Sequence, residues 1–356
     1  MINTIIEQDL EDIYQRKIPW ERLKHKTVLI TGAYGMLASY VVYMLMYLNE
    51  KKDMDISVIA LVRSRKKFEK RFGKLSNHPY LTVYENTLEN PLEIAEQVDF
   101  IIHAASLASP QYYSVSPIEV LKPNVVGNYH LLELAVQKKV EGYLFFSTGD
   151  IYGAVKNRTT VRETDYGEMD TLDIHSCYGE SKRMGETMCK AWFLQKRVPT
   201  KIARIWHTYA PTMDIERDPR VFASFVKDVM QGNDIVMKSD GRSKRSFCYI
   251  SDAVVGYFLI LLNGKAGEAY NVCNTEEFYS IREVAEIVAG LYPEKHLQVR
   301  YEKREEDDTY LENSQANDIP PSNEKLKALG WETEVNIREG FRRVIESLKV
   351  NQEKEF

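Results

Sequence analysis

The chain has 356 residues, 44% of them apolar, which is ample for a substantial core in one large domain or two without help from disulfides or metals. Its formal charge of -5 comes from mixed rather than segregated charges and excludes a basic surface for nucleic acid, the run RSRKKFEKR (63–71) being a local exception. No apolar stretch is long enough for a membrane span, and the acidic start MINTIIEQDLEDIY lacks the basic region of a signal peptide, so the expected location is cytoplasmic.

Residues 1–24 precede the first strand pattern and predict an N-terminal extension made of a helix and a turn at Pro19. Short β-branched runs then recur with helical patterns between them: KTVLI (26–30), ISVIALV (56–62), YLTVY (80–84), VDFII (98–102), GYLFFS (142–147) and TKIARIW (200–206). Strands apolar on both faces, alternating with helices, predict a parallel sheet covered on each side, an α/β, Rossmann-type, doubly wound fold over residues 25–210. Beyond YAPTMD (209–214) the pattern is irregular, with helices over RVFASFVKDVMQG, SIREVAEIVAGLY and VNIREGFRRVIESLKV and a turn at SDGRSKRSF. Residues 211–356 read as a smaller C-terminal α+β lobe rather than a continuation of the sheet, and the polar segment EKREEDDTYLENSQANDIPPSN (302–323) as a long surface loop. Cys177, Cys189, Cys248 and Cys273 lie far apart without metal-ligand spacing, which predicts reduced thiols and no metal site.

The first strand runs directly into TGAYGMLASYVVYML (31–45). Gly32 and Gly35 let the backbone turn tightly around a pyrophosphate, and Tyr34, Met36 and Leu37 accompany them at the start of a helix whose free N–H groups and dipole favour an anion. Strand, glycine turn and helix in that order predict a dinucleotide site. The second strand ends in Arg63 and Ser64 rather than in a carboxylate. Cations there suit a 2′-phosphate and tip the choice between NAD and NADP toward NADP, the alternative being a solvated face. Ala104, Ala105 and Ser106, in IIHAASLASP, end the fourth strand in small residues that let the backbone pass close to the cofactor.

CYGESKRMGETMC (177–189) places Tyr178 and Lys182 four apart on one helix face, where the ammonium is expected to lower the phenol pKa and make Tyr178 a usable base. Such pairs are common on surfaces. Downstream of a dinucleotide turn, and of the strand FFSTGDIYG with Thr148 at its tip and Asp150 just beyond, this one reads as catalytic.

With TGAYGMLA, HAASLASP, PNVVGNYHLLELA, FFSTGDIYG, YGESK, ARIWHTYAP, RSFCYISD, YNVCN and LGW in this order, residues 24–348 resemble the extended short-chain dehydrogenase/reductase family that acts on nucleotide-activated sugars. Within it they are most similar to UDP-glucuronate decarboxylases and sugar-nucleotide 4,6-dehydratases. The resemblance implies that Tyr178 takes the proton of the sugar C4 hydroxyl while hydride passes to the nicotinamide. It gives Lys182 the nicotinamide ribose and Thr148 the C4 oxygen. The smaller lobe would bind the nucleotide sugar, with Arg220 and Arg245 on the diphosphate and His207 where an asparagine usually contacts the substrate. Two long helices would pair across a two-fold axis in a homodimer.

The departures from the family pattern concern the step after oxidation. Dehydratases carry an acid and a glutamate after the threonine, decarboxylases a serine and a glutamate, and simple epimerases small or apolar residues. Gly149 and Asp150 stand there in this chain. Glycine cannot protonate a leaving hydroxyl, so decarboxylation of an NDP-uronic acid such as UDP-glucuronate is the leading reading. An NADPH-dependent reductase, an epimerase or a 4,6-dehydratase is the alternative, and the bland role for Asp150 is capping a turn. A non-catalytic cofactor-retaining protein is a further class of reading, against which the intact Thr148, Tyr178 and Lys182 argue.

Overall fold

The computed structural model describes residues 3–218, 220–302 and 318–353. Its strands are β1 (Thr27–Thr31), β2 (Ser57–Val62), β3 (Leu81–Glu85), β4 (Phe100–His103), β5 (Gly142–Thr148), β6 (Thr200–Ile205), β7 (His207–Tyr209), β8 (Ile235–Met237), β9 (Lys244–Tyr249), β10 (Glu268–Val272), β11 (Phe278–Ser280) and β12 (Val299–Tyr301). Seven of them form one parallel sheet in the order β10-β6-β5-β4-β1-β2-β3. Alternate residues feed two cores: Val28, Ile30 and Phe146 face one, Leu29 and Phe145 the other. That double burial is why these strands read as unbroken apolar runs. The strand order reverses beside β1 and β4, where an open α/β sheet leaves a crevice at the carboxyl ends of its strands.

The helices are α1 (Thr4–Tyr14), α2 (Met36–Lys52), α3 (Arg65–Phe72), α4 (Gln111–Val115), α5 (Pro117–Lys122), α6 (Asn128–Lys138), α7 (Cys177–Lys196), α8 (Val221–Gln231), α9 (Ile250–Asn263), α10 (Ile281–Ala289), α11 (Glu324–Lys327) and α12 (Ile337–Glu353). Residues of α2 and α9 pack on one face of the sheet, and those of α6 and α7 on the other. The N-terminal extension is built into the body. Asp9 of α1 is fully buried and accepts hydrogen bonds from Tyr40 of α2 (2.8 Å), Tyr249 (2.7 Å) and Arg343 of α12 (2.7 Å). Arg16 pairs with the buried Asp252 at 2.9 Å. This cover explains why twelve successive residues of α2, Ala38 to Asn49, are all buried.

The sheet does not end with the sixth strand, as the change of pattern after residue 210 suggests. The chain returns to it through the apolar helix α9, and β10 pairs in parallel with β6. The remaining strands make two small sheets, β11-β9-β7 and β12-β8. In α10 the hydroxyl of Ser280 and the carboxylate of Glu283 form a capping box, which fixes the start of that helix. All four cysteines are free and buried. No helix of the described residues is long and apolar enough to cross a membrane. Most of the polar segment expected to form a surface loop, 303–317, lies outside the described residues.

Candidate active site

The glycine turn follows β1 as its sequence requires. Gly32 has a φ of +64°, and a Cβ there would lie 2.8 Å from the Cα of Ala105, so both its conformation and its neighbour demand glycine. The approach is held by Thr31, whose hydroxyl accepts from the backbone N–H groups of Ala104 (3.1 Å) and Ala105 (3.0 Å) and lies 2.8 Å from the His103 ring. Gly35 caps α2, and Met36 and Leu37 form its first turn, so the free N–H groups of a seventeen-residue helix open onto the turn. Tyr34 is half-buried against the core beside them. Ser106 adds a donor, since its enclosed hydroxyl has no partner among the described residues. A narrow glycine cradle, a helix N-terminus and an orphaned hydroxyl together fit a dinucleotide. At the far end Arg63 is exposed, with no hydrogen-bond or ion-pair partner among the described residues. Ser64 is otherwise engaged: its hydroxyl caps α3 by accepting from Lys67 N–H at 3.3 Å.

Thr148, at the tip of β5, is buried and caps the short 3-10 turn Gly149–Tyr152, its hydroxyl accepting from the Asp150 N–H at 3.2 Å. The same hydroxyl is near enough to the Asp150 carboxylate and the Tyr178 phenol to pull the pKa of each downward. Asp150 opens onto the cleft. The protein around it raises its pKa by desolvation, against the Arg245 charge and the Thr148 hydrogen bond. The ring of Tyr113 is stacked on that of Tyr178, a contact that sequence reasoning did not single out.

Lys182 shares the α7 face with Tyr178 as its spacing predicts, but their coupling differs from expectation. The ammonium donates to the Phe146 carbonyl at 2.6 Å and lies 5.8 Å from the centre of the Tyr178 ring. Burial, seconded by the Asp150 charge, pushes the phenol above its ordinary value, with Thr148 and Arg220 opposing. At that separation the ammonium does not overcome desolvation. Burial also brings the pKa of Lys182 down to about 7, with Glu186 opposing. Glu186, one further turn along α7, is paired with the buried Arg204 at 2.7 Å and so braces the α7 face against β6.

The residues expected to meet the substrate close the other side. His207, on β7, is held near pKa 3 by burial and by the Arg245 and Arg220 charges, and is therefore neutral. Its Nδ1 is enclosed without a partner among the described residues. Arg220 is the N-cap residue of α8, bonds the Asp218 carboxylate (2.9 Å) and the Thr208 carbonyl (3.2 Å), and reaches the Met36 sulfur at 3.3 Å, joining the start of α8 to the glycine turn. Arg245, on β9, donates to the Lys244 carbonyl (2.7 Å) and lies 3.6 Å from Asp318. The structure thus brings Tyr178, Lys182, Thr148, Asp150, Arg220 and Arg245 together beside the glycine turn.

A family model described as the NAD dependent epimerase/dehydratase family matches residues 28–273. The chain belongs to that family. It is 32% identical over 317 residues to UDP-glucuronic acid decarboxylase 6 of Arabidopsis thaliana, covering 88% of this chain and 86% of that protein. It is 30% identical over 345 residues to UDP-glucuronic acid decarboxylase 1 of Xenopus tropicalis, covering 95% of this chain and 76% of that protein. Its fold is similar to that of the crystallised UDP-glucuronic acid 4-epimerase from Bacillus cereus, with a TM-score of 0.74 at 18% identity, over 91% of this chain and 99% of that one. As a family member the chain is an NAD(P)-dependent enzyme of the epimerase/dehydratase type. Tyr113, stacked on Tyr178, and Trp206, packed against Gly149, are site neighbours the motifs did not single out; the aromatic pair YY in SPQYYSV and the tryptophan in ARIWHTYAP were their signals.

Proposed function

We propose that this epimerase/dehydratase-family enzyme decarboxylates a nucleotide-linked uronic acid, with UDP-glucuronate as its leading substrate, through oxidation at C4. The observation that carries the reading is the Thr148 hydroxyl at the start of the Gly149–Tyr152 turn, bonded by the Asp150 N–H and near Tyr178, with no side chain at position 149. Relatives named UDP-glucuronic acid decarboxylases, matched over most of the chain, support it.

Bound NAD(P) supplies the hydride acceptor and, later, the donor. Gly32, Gly35, Met36 and Leu37 would hold its pyrophosphate, Ala104, Ala105 and Ser106 its nicotinamide end, and Lys182 the adjoining ribose. Arg63 stands where a 2′-phosphate would be met, which favours NADP. Thr148 holds the C4 oxygen, and Tyr178 accepts the hydroxyl proton as hydride leaves C4. The 4-ketone makes the C6 carboxylate a β-keto acid. The C5–C6 bond then breaks, carbon dioxide departs and the electron pair is taken up by the ketone as an enolate. Protonation of C5 by a proton from water, return of hydride to C4 and return of the Tyr178 proton to the C4 oxygen complete the cycle. Asp150 orients the sugar through this later phase, while Arg220, Arg245 and neutral His207 hold the nucleotide diphosphate and sugar.

A homodimer in the cytoplasm completes the proposal. Val115, Ile118, Val126 and Tyr129, from the α4 to α6 stretch, and Met184 and Leu194 of the adjoining α7 are exposed apolar side chains, and a second copy would cover them. Incubating the protein with UDP-, GDP-, CDP- and dTDP-linked sugars and uronic acids and weighing the products tests the reaction and its substrate together. Loss of carbon dioxide from a uronic acid supports it, and turnover confined to neutral sugars counts against it.

A further inference from the structure

The cleft residue without a side chain, Gly149, does not owe its identity to its backbone. It is not among the residues of positive φ, so any amino acid could adopt its conformation. What crowds a side chain is Trp206. A Cβ at position 149 would lie 3.0 Å from both Cδ2 and Cε2 of the indole and 3.3 Å from Cε3. The sheet register sets this meeting, because Thr148 and Ile205 are partners across β5 and β6, and Gly149 and Trp206 are the residues that follow them.

The indole is also held in place by hydrogen bonds. Its N–H donates to Asn271 Oδ1 at 3.2 Å, and the same oxygen accepts from the Tyr152 hydroxyl at 2.7 Å. Asn271 is fully buried and donates in turn to the Ser322 carbonyl at 3.0 Å. The Trp206 backbone N–H bonds the Val272 carbonyl at 3.2 Å, and its ring is tilted 31° to that of Tyr152 at 5.9 Å. A side chain at 149 would have to push the indole back against these hydrogen bonds.

We infer that Trp206 is a specificity-determining residue of the site: its indole takes the volume of a side chain at position 149, so Thr148 and Asp150 act with no functional group between them. Only keto-sugars whose next step needs no proton from that position then go on to product. This deepens the decarboxylase reading and rests on it, since loss of carbon dioxide from a β-keto acid requires no acid there, whereas expulsion of a C6 hydroxyl does.

The test is a cycle of Gly149→Ser, Trp206→Leu and the double variant, read first by thermal unfolding without substrate. Gly149→Ser is expected to lower Tm by a few degrees in the wild-type background and by clearly less in the Trp206→Leu background, because there the overpacking is relieved. The second readout is kcat and KM with UDP-glucuronate: Gly149→Ser should lower kcat about tenfold or more, and the double variant should do no worse than Trp206→Leu alone. The third uses UDP-glucose, from which Gly149→Asp with Trp206→Leu should release about tenfold more dehydrated product than Gly149→Asp alone. Additive effects on unfolding would overturn the shared volume. Additive effects on kcat, or no gain in dehydration, would overturn the role in specificity. Should the wild type leave UDP-glucuronate untouched, the decarboxylase reading fails, while the unfolding cycle still decides whether Trp206 fills position 149.

Discussion

The rings of Tyr113 and Tyr178 lie face to face, their centres 5.3 Å apart and their planes only 15° from parallel. The Tyr113 hydroxyl donates to the Ala108 carbonyl at 3.1 Å, so the stacking partner is itself anchored to the loop after β4. The ring of Tyr178, proposed to exchange a proton with the sugar, is therefore backed by an anchored partner. Tyr113→Ala is expected to lower kcat about tenfold, the order of one aromatic pair, with cofactor affinity unchanged. Tyr113→Phe keeps the stack and should retain most activity. Steady-state kinetics and cofactor titration of the two variants check this.

Tyr178→Phe removes the acid/base and leaves the ring, its stack and the cofactor groove in place. Loss of a positioned general base is expected to cost about 100- to 10,000-fold in turnover. Cofactor retained after gel filtration, together with near-zero product, is the expected pair of results.

Lys182 gives a pH signature. Burial lowers its pKa to about 7, against about 10.4 for a lysine in an unfolded chain. Below pH 7 both states hold the proton, and the lysine adds no slope. Between about pH 7 and 10.4 the unfolded chain holds a proton that the folded one has released, so this group makes stability rise with pH. Urea unfolding of the protein and of Lys182→Met should therefore show a gain between pH 7 and pH 9 that is smaller in the variant by roughly 2 kcal/mol.

Arg63 is exposed and unpartnered among the described residues at the end of β2. Arg63→Asp places a carboxylate where a 2′-phosphate would sit, so NADP should bind at least tenfold more weakly, by about 1.4 kcal/mol or more, and NAD no worse. Calorimetry on protein stripped of cofactor measures both.

Much of this arrangement is written locally in the chain. The glycine turn, Thr148 and the Tyr178–Lys182 pair each follow from a few adjacent residues, and the strands from unbroken apolar runs that only a doubly covered sheet produces. β10 is less visible because its five residues include Glu268 and Asn271, which break the apolar run, and because its partner β6 lies more than sixty residues earlier. The stack of Tyr113 on Tyr178 and the contact of Trp206 with Gly149 depend on pairings between distant segments. The second could be read from sequence only once β5 and β6 had been aligned in register. The burial of Asp9 under three donors was equally hidden, since an acidic helix near the N-terminus ordinarily reads as solvated.

In the proposed reaction, oxidation at C4 serves the loss of carbon dioxide, with Thr148 acting in the first hydride transfer and Asp150 after it. Rapid mixing of cofactor-loaded protein with UDP-glucuronate, following reduced nicotinamide by absorbance and the sugar nucleotide by mass, tests it most directly. The wild type is expected to return its cofactor to the oxidised state as product lighter by one carbon dioxide appears. Thr148→Val is expected to slow the first rise of reduced cofactor, and Asp150→Asn to halt with reduced cofactor and a keto-sugar. Complete turnover by Asp150→Asn at the wild-type rate, or a wild-type product that keeps its carboxylate, would contradict it.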